Sequence, residues 1–372
     1  MAEGFQTEED EQTLAAVLRL ASDDQKGLTD AADRENGALP PAFEHYLSQL
    51  VRYATGEDRN WSEPETLLER GVEAWRASAV RKPGEHIIVL RAQDAEGWRS
   101  ERLVLDIVTD DRPFLVDSIS AMLSNAGKPV SFFANAVVDC SRNADGVRTP
   151  VNGAEASAVR ESMIHAEMDP AISEAEVDNI RRQIELVLND VAVAVDDWEQ
   201  MRARLGACIA QLERTRPSGV DRDDQRETVA FLKWLWDNRF AFLGVRRFIY
   251  KKTGDKVEFT HDPTVDLGIM RDTDRRILKS TYTEDGRLSP AVEDFLQSGE
   301  PILVAKANAK SLVHRPVYMD YIGVKTYSVN GELTGEERFV GLFTAEAYNR
   351  PATDIPLLRA KVRKVIEEPS FA

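Results

Sequence analysis

Apolar residues along this chain recur with two different periods, and the change of period separates predicted strands from predicted helices. Residues 102–109 alternate apolar and polar positions and are rich in β-branched side chains, which predicts a strand with one face in a core. Residues 129–139 and 161–169 predict two further strands. Between the first two strands, apolar residues at helical spacing predict a helix entered through Pro113 and ended at Gly127. A longer helical stripe follows the third strand and is formed by Val177, Ile180, Ile184, Leu188, Val191 and Val195.

The order strand, helix, strand, strand, helix is most of a ferredoxin-like sandwich, which needs one more edge strand. Two stretches fit that place. Residues 86–92 predict a strand that a turn at residues 94–97 folds back onto 102–109. Residues 191–195 also alternate, but a run of this length fits a strand and a helix equally well. The sequence leaves both assignments open.

The chain as a whole predicts an α+β protein with five parts. Residues 1–84 form an acidic helical segment with 17 Asp or Glu against 7 Lys or Arg up to Arg76, and residues 85–196 form the ferredoxin-like domain. Residues 197–238 are connecting helices. Residues 239–350 predict two strands, a stretch with one short helix and three strands, an order that resembles a PAS-type antiparallel β domain. Residues 351–372 predict a basic amphipathic C-terminal helix.

Composition narrows the choice of partners and compartment. A net charge of −17 repels nucleic acid and anionic membranes, so neither is an expected partner. No apolar run approaches the roughly 18 residues that a membrane-spanning helix needs, and the acidic start lacks a signal-peptide pattern. Cys140 and Cys208 fall in different predicted elements and fit a reducing compartment. We therefore expect a cytoplasmic protein.

The common catalytic motifs are missing from this sequence. There is no G-x-G-x-x-G, P-loop, G-x-S-x-G or H-E-x-x-H, and the five histidines are too scattered for a zinc site. The sequence therefore predicts no catalytic residue, no metal and no cofactor site in this chain. His165 is expected to be a hydrogen-bonded strand histidine rather than a general base. Asp110 and Asp111 are expected to cap the following helix.

Two segments are candidates for ligand binding. The turn before the first sandwich helix offers free helix-terminal N–H groups to a carboxylate effector, and its candidate residues are Asp111, Arg112, Pro113, Phe114 and Leu115. A cationic cluster at the end of a later strand is the candidate contact for an anion or an acidic partner segment. Its residues are Lys306, Lys310, His314 and Arg315. Ion pairs within the protein are the alternative use of these cations.

Several ordered motifs resemble one family. Residues 110–118 (DDRPFLVDS) are similar to the D-D-x-P-F-L-V-D-S signature of the large NAD-specific glutamate dehydrogenases, and residues 161–169 to their E-S-x-I-H-x-E-x-D strand. The segments 231–235 and 240–245 resemble the F-L-x-W-L and F-x-F-L-G-Y motifs. The similarity covers about residues 85–372 and continues through 306–315, 321–325, 339–344 and 354–359.

The resemblance implies a specific role. Members of this family are very long chains that deaminate L-glutamate to 2-oxoglutarate and ammonia with NAD, and their dehydrogenase domain lies far towards the C-terminus. The matching N-terminal region resembles ACT-type and PAS-type domains that serve allosteric control and oligomerisation. We therefore expect a regulatory region that is not catalytic alone, with an amino-acid effector and homo-oligomers formed through the parent chain. Phe114 replaces the glycine of the usual ACT turn, which keeps a structural scaffold without a small-molecule ligand as the alternative.

Overall fold

The structure is a computed structural model that describes most of the chain, and the chain divides after Asn189 into two compact units. The predicted mixed α+β class is confirmed, because the described residues form helices and two antiparallel sheets. The predicted turn at residues 94–97 lies outside the described residues. Those residues are 8–23, 38–54, 63–91, 102–149, 159–169, 173–254, 256–277, 280–285 and 287–367.

The first unit places three helices before a sheet. These helices are α1 (Glu8–Asp23), α2 (Pro41–Tyr53) and α3 (Pro64–Ala77), and prolines stand at the first turns of α2 and α3. The elements that follow are β1 (Ile87–Arg91), β2 (Leu103–Asp110), α4 (Leu115–Asn125), β3 (Val130–Arg142), β4 (Arg148–Thr149), β5 (Val159–Met168) and α5 (Glu174–Asp196).

The sheet of the first unit has the strand order β1-β2-β5-β3-β4, and each neighbouring pair is antiparallel. β1 is the edge strand, and its residue Ile87 pairs with Val108 of β2. Residues 191–195 instead continue helix α5. The hairpin before β2 therefore supplies the strand that a ferredoxin-like sheet otherwise receives after its second helix.

Both faces of the central strands are covered, since nearly every residue of β2 and β5 is buried. Helices α1, α2 and α3 pack on one face, against alternate residues of β3 such as Phe132 and Ala136. On β5 this face also carries Met163. In addition, the Arg181 side chain of α5 donates a hydrogen bond of 2.9 Å to the Ile88 carbonyl. Side chains that alternate along β2 and β5 therefore point into two separate buried layers.

The second unit combines helices with a second sheet. Its elements are α6 (Trp198–Arg214), α7 (Arg222–Trp234), β6 (Phe240–Thr253), β7 (Lys256–Gly268), α8 (Pro290–Gln297), β8 (Ile302–Lys310), β9 (Tyr318–Tyr327), β10 (Leu333–Phe343), α9 (Ala345–Tyr348) and α10 (Leu358–Glu367). The predicted order of two strands, a stretch with a short helix and three strands is present. Gly331, in the turn before β10, has a φ of +83°. A Cβ there would lie 2.2 Å from the Arg216 carbonyl oxygen, so the turn requires glycine.

The second sheet has the antiparallel order β7-β6-β10-β9-β8, so β8 is an edge strand. Helices α6 and α7 form one core with the sheet, in which Leu205 and Phe231 pack with Phe242, Val324 and Phe339. Gln211 of α6 also exchanges two hydrogen bonds with the Tyr327 main chain, at 2.7 and 3.2 Å. Among the described residues, none of the helices is long and apolar enough to cross a membrane.

Candidate functional site

The turn between β2 and α4 holds the residues predicted to bind an effector. Phe114 immediately precedes α4 and has a φ of +72°, the left-handed conformation that favours glycine. Its carbonyl accepts hydrogen bonds from the Ser118 N–H (3.0 Å) and the Ser118 hydroxyl (2.6 Å). A left-handed conformation costs roughly 1–2 kcal/mol for a residue with a Cβ. The turn therefore keeps a glycine-like main chain although its side chain is a phenyl ring.

The prediction that Asp110 and Asp111 cap α4 is wrong. The residue at the cap position is Phe114, and no side chain caps the helix there. Asp110 instead is the last residue of strand β2. Its carboxylate accepts hydrogen bonds from Arg81 Nη2 (2.7 Å) and from the Gly84 N–H (3.0 Å), so it is already engaged away from the helix.

The five candidate effector residues lie together at this turn but face different surroundings. The Asp111 N–H donates to the Arg160 carbonyl at 2.9 Å, and its carboxylate lies 3.4 Å from the exposed Arg160 guanidinium. Arg112 lies 3.3 Å from the Asp110 carboxylate. Pro113 is exposed, Phe114 is half-buried and Leu115 is buried. Their role in effector binding remains a prediction.

Next to this turn lies a buried cluster that the sequence did not predict. Glu161 on β5 is 1% exposed and accepts hydrogen bonds from two arginines. Arg81 donates from Nε (3.1 Å) and Nη2 (2.8 Å), and Arg142 donates from Nε (2.6 Å) and Nη2 (2.9 Å). Burial alone would raise the pKa of Glu161, but the hydrogen bonds from Arg142 and Arg81 outweigh it and hold the pKa below its usual value. We name Glu161, Arg81 and Arg142 the arginine clamp.

The arginine clamp ties together segments that are distant in the sequence. Arg142 also donates to the carbonyls of Ser78 (2.9 Å) and Gly146 (2.9 Å), which follow α3 and β3. Arg81 donates to the Glu85 carbonyl at 3.0 Å, just before β1. A single buried carboxylate thus orients the connection between the N-terminal helices and the sheet.

A second buried polar cluster lies between the sheet and helices α2 and α3. His165 on β5 is fully buried, with Nδ1 2.6 Å from Asp106 Oδ1 and Nε2 3.3 Å from Glu167 Oε1. Arg70 Nε lies 2.6 Å from Glu167 Oε1, and Arg91 pairs with Asp106. The prediction of a hydrogen-bonded strand histidine is confirmed. We name these five residues the histidine network.

The geometry of the histidine network favours a charged imidazole. Both ring nitrogens of His165 face carboxylate oxygens, and a charged imidazole donates from both nitrogens. Burial lowers the pKa of His165, but Asp106 and Glu167 outweigh it and raise the pKa above its usual value. The Tyr46 hydroxyl from α2 is buried in the same layer without a hydrogen-bond partner among the described residues. Burial, followed by the charge of Asp106, raises the pKa of Tyr46 well above its usual value.

The cationic residues of 306–315 are dispersed in the second unit. Lys306 pairs with Asp320, with Nζ and Oδ1 2.6 Å apart, and Lys310 lies 5.9 Å from the Tyr318 ring centre. Arg315 donates to the Phe343 carbonyl at 2.6 Å. His314 has a φ of +64°. Internal contacts therefore take up part of this charge, and an anion site here remains a prediction.

Lys325 on β9 is a strongly perturbed cation of the second sheet. Its Nζ donates to the Ser298 carbonyl at 2.7 Å and lies 4.7 Å from the Phe295 ring centre. Burial lowers its pKa to about 8, against the opposing effect of Glu300 and Glu336. Nearby, the Tyr321 hydroxyl bonds to Glu336, which also pairs with Arg338 at 2.9 Å. Tyr321, Glu336 and Arg338 therefore pair within the sheet, whereas Lys325 contacts the end of α8.

The described residues define a two-unit α+β protein with a ferredoxin-like sheet and buried polar clusters in its first unit. Residues 46–184 match the family "Glutamate dehydrogenase, ACT1 domain". Over 364 residues the chain is 32% identical to the NAD-specific glutamate dehydrogenase of Halomonas elongata. The aligned residues make up 96% of this chain and 22% of that protein.

Two further relatives carry the same name. The NAD-specific glutamate dehydrogenase of Pseudomonas aeruginosa is 30% identical over 75% of this chain and 17% of its own length. The protein of Mycobacterium tuberculosis is 25% identical over 78% of this chain and 17% of its own length. The chain therefore belongs to the NAD-specific glutamate dehydrogenase family, as an N-terminal region of it, and spans about one fifth of the relatives' length.

Proposed function

We propose that this chain is the regulatory and oligomerisation region of a large NAD-dependent glutamate dehydrogenase and is not catalytic by itself. The parent enzyme would oxidise L-glutamate to 2-oxoglutarate and ammonia with NAD bound elsewhere in the longer protein. The supporting observation is the ACT1-domain match over residues 46–184, on the unit that has the ferredoxin-like strand order. In this proposal residues 239–350, within the second unit, form the PAS-like domain.

The proposal includes a cytoplasmic location, homo-oligomers formed through the parent chain, and an amino-acid effector. Cys140 and Cys208 are both free, buried thiols, which supports a reducing compartment. Burial raises the pKa of Cys140 to about 11, so it is a structural thiol rather than a nucleophile. The finer division into five parts, at residues 84, 196, 238 and 350, is part of the same proposal.

The competing function is a scaffold that binds no small molecule. Phe114 favours it, because its half-buried ring occupies the place of the ACT glycine while Asp110 and Arg112 pair with each other. The left-handed main chain at Phe114 favours the effector role instead, since strained turns are common at binding sites. Direct binding measurements separate these two functions.

We expect one amino acid to stabilise the 372-residue chain against heat. An effector at a hundredfold excess over its Kd contributes about 2.7 kcal/mol, a shift of roughly 3–4 °C in the midpoint of a protein of this size. Asp111→Asn should abolish the shift, whereas Asp139→Asn, which changes an exposed carboxylate on β3, should leave it intact. Differential scanning fluorimetry against the amino acids and adenine nucleotides measures this. No shift with any of them leaves the scaffold function.

We also expect the purified chain to give no glutamate-dependent reduction of NAD. The sequence contains no glycine-rich dinucleotide motif, and this region covers only about one fifth of the relatives. Absorbance of NADH at saturating glutamate and NAD measures the rate. Turnover by this chain alone would contradict the non-catalytic role.

A further inference from the structure

A row of alternating charges connects the turn between β2 and α4 to the end of helix α3. Arg112 lies 3.3 Å from the Asp110 carboxylate, and Asp110 accepts a hydrogen bond of 2.7 Å from Arg81. Arg81 also donates to Glu161 at 2.8 Å, and Glu161 accepts a further hydrogen bond of 2.6 Å from Arg142. The carboxylates of Asp110 and Glu161 are therefore each shared between two arginines. We name these five residues the charge relay.

The far end of the charge relay holds the last turn of α3. Arg142 donates to the carbonyl of Ser78, the residue that caps this helix, at 2.9 Å. Arg148 donates to the Trp75 carbonyl at 2.9 Å, and its guanidinium lies 3.5 Å from the centre of the Trp75 ring. The last carbonyls of a helix have no amide partner further along the helix, so donors from outside must satisfy them. Arginines of β3 and β4 thus fasten α3 to the sheet.

The buried arginines of the charge relay need both carboxylates. The side chains of Arg81 and Arg142 are 0% and 4% exposed, and Glu161 alone balances only one of their two positive charges. Asp110 supplies the second negative charge. Burial raises the pKa of Asp110, but the hydrogen bond from Arg81 and the charge of Arg112 outweigh it and hold the pKa below its usual value. Because Arg81 and Arg112 share Asp110, withdrawal of Arg112 leaves this carboxylate to Arg81 alone.

We propose that the charge relay couples effector binding at the turn to the attachment of α3 to the sheet. This inference rests on the effector function proposed above, in which Arg112 is a candidate binding residue. A carboxylate bound by Arg112 competes with Asp110 for this cation, so Asp110 pairs more strongly with Arg81 and balances the buried guanidiniums better. Arg142 then holds the end of α3 more firmly. Because coupling between two sites is reciprocal, a firmly held α3 also raises the affinity of the turn.

Hydrogen exchange of the amides of residues 74–79 tests the charge relay in the 372-residue chain without any effector. Asp110→Asn leaves two buried guanidiniums to one carboxylate, so these amides should exchange roughly tenfold faster. Arg112→Gln leaves Asp110 with a single guanidinium, so the same amides should exchange roughly fivefold more slowly. Asp139→Asn, which removes an exposed carboxylate on β3, should leave their exchange unchanged. Loss of a merely structural contact at Arg112 would speed exchange instead, and that result would overturn the proposal.

A double-variant cycle separates the charge relay from independent effects. Asp110 and Arg142 are linked through Arg81 and Glu161, so interrupting the row at either end should have much the same result. The double variant Asp110→Asn with Arg142→Gln should therefore exchange little faster than the faster single variant. If the two factors multiply, the residues act independently and the proposal fails. Circular dichroism verifies that each variant is folded, and Arg112→Gln keeps the test decisive if the others are not.

The amino acids of the fluorimetry screen test the effector itself. An amino acid that raises the melting midpoint should also slow exchange at residues 74–79 by roughly fivefold, and Arg112→Gln should remove this response. A midpoint shift without slower exchange would overturn the coupling and leave the effector function intact. Slower exchange in Arg112→Gln with no midpoint shift from any amino acid would instead remove the effector function, and with it the regulatory use of the charge relay.

Discussion

Glu161→Gln is expected to destabilise the first unit by about 3–5 kcal/mol, because the arginine clamp would lose the carboxylate that its two arginines share. Two guanidiniums would then remain buried, and Arg81 is itself 1% exposed. The neutral amide oxygen could still accept from both arginines, but the NH₂ group would oppose Arg142 Nη2, which now donates to Oε2, and no negative charge would balance the two cations. Urea unfolding at pH 7 measures this loss, with hydrogen exchange of β5 amides assigning it to the first unit.

The control for this prediction is Asp111→Asn in the adjacent turn. Asp111 pairs at 3.4 Å with Arg160, whose side chain is 68% exposed, and such surface pairs contribute about 0–1 kcal/mol. The pKa of Glu161 is held below its usual value, so the clamp is at full strength above about pH 4.3 and weakens as pH falls through the lower folded pKa. A loss below about 1 kcal/mol in Glu161→Gln would show that the clamp does not stabilise the unit.

The sequence contains part of the information for both buried clusters. Residues 161–169 are predicted as a strand, and a period of two places Glu161, His165 and Glu167 on the same face. That alternation can be read directly from the order of the residues. The sequence does not show which elements cover this face. Helices α2 and α3 cover it, and they lie about 90–120 positions earlier in the chain. Two of the arginines that pair with these carboxylates, Arg70 and Arg81, come from the same distant region.

The edge strand, the Asp110 contact and the cations near Lys306 also depend on distant contacts that the local sequence does not show. Residues 191–195 are too short a run to distinguish the two periods, and only the continuation of α5 decides that they are helical. Asp110 has the chemistry of a helix cap, but a buried arginine from another segment takes its carboxylate. In the second unit, Lys306 has the chemistry of an anion contact, but Asp320 on the neighbouring strand takes up its charge.

His165→Leu is expected to destabilise the first unit by about 3 kcal/mol at pH 6, because it leaves the buried carboxylates Asp106 and Glu167 without their shared donor. The pKa of His165 is raised, so its charged form stabilises the unit fully below its usual pKa of about 6.5. That contribution is lost as pH rises through the higher folded pKa. The difference between wild type and His165→Leu should therefore narrow from pH 6 to pH 9.

The loss of stability at acid pH has a different origin, which is the protonation of Asp106. Burial raises the pKa of Asp106, but His165 and Arg91 outweigh it and lower the pKa, so its contribution is present above about pH 3.9 and is lost as pH falls further. The histidine network is therefore at full strength between roughly pH 4 and 6.5. Chemical shifts of ¹⁵N-labelled His165 test this state directly, since both ring nitrogens should carry protons at pH 6.

His86 provides a matched control because its pH dependence has the opposite sign. Burial, reinforced by Arg112, lowers the pKa of His86, whose Nδ1 lies 2.7 Å from the Thr109 hydroxyl. The unfolded chain then binds more protons at this position at acid pH, so the contribution of His86 to stability grows as pH rises towards about 6.5 and is constant above it. The difference between wild type and His86→Leu should therefore widen up to about pH 6.5 and stay level above it, where that of His165→Leu narrows. If both differences follow pH in the same direction, His165 is not the charged centre of a buried network.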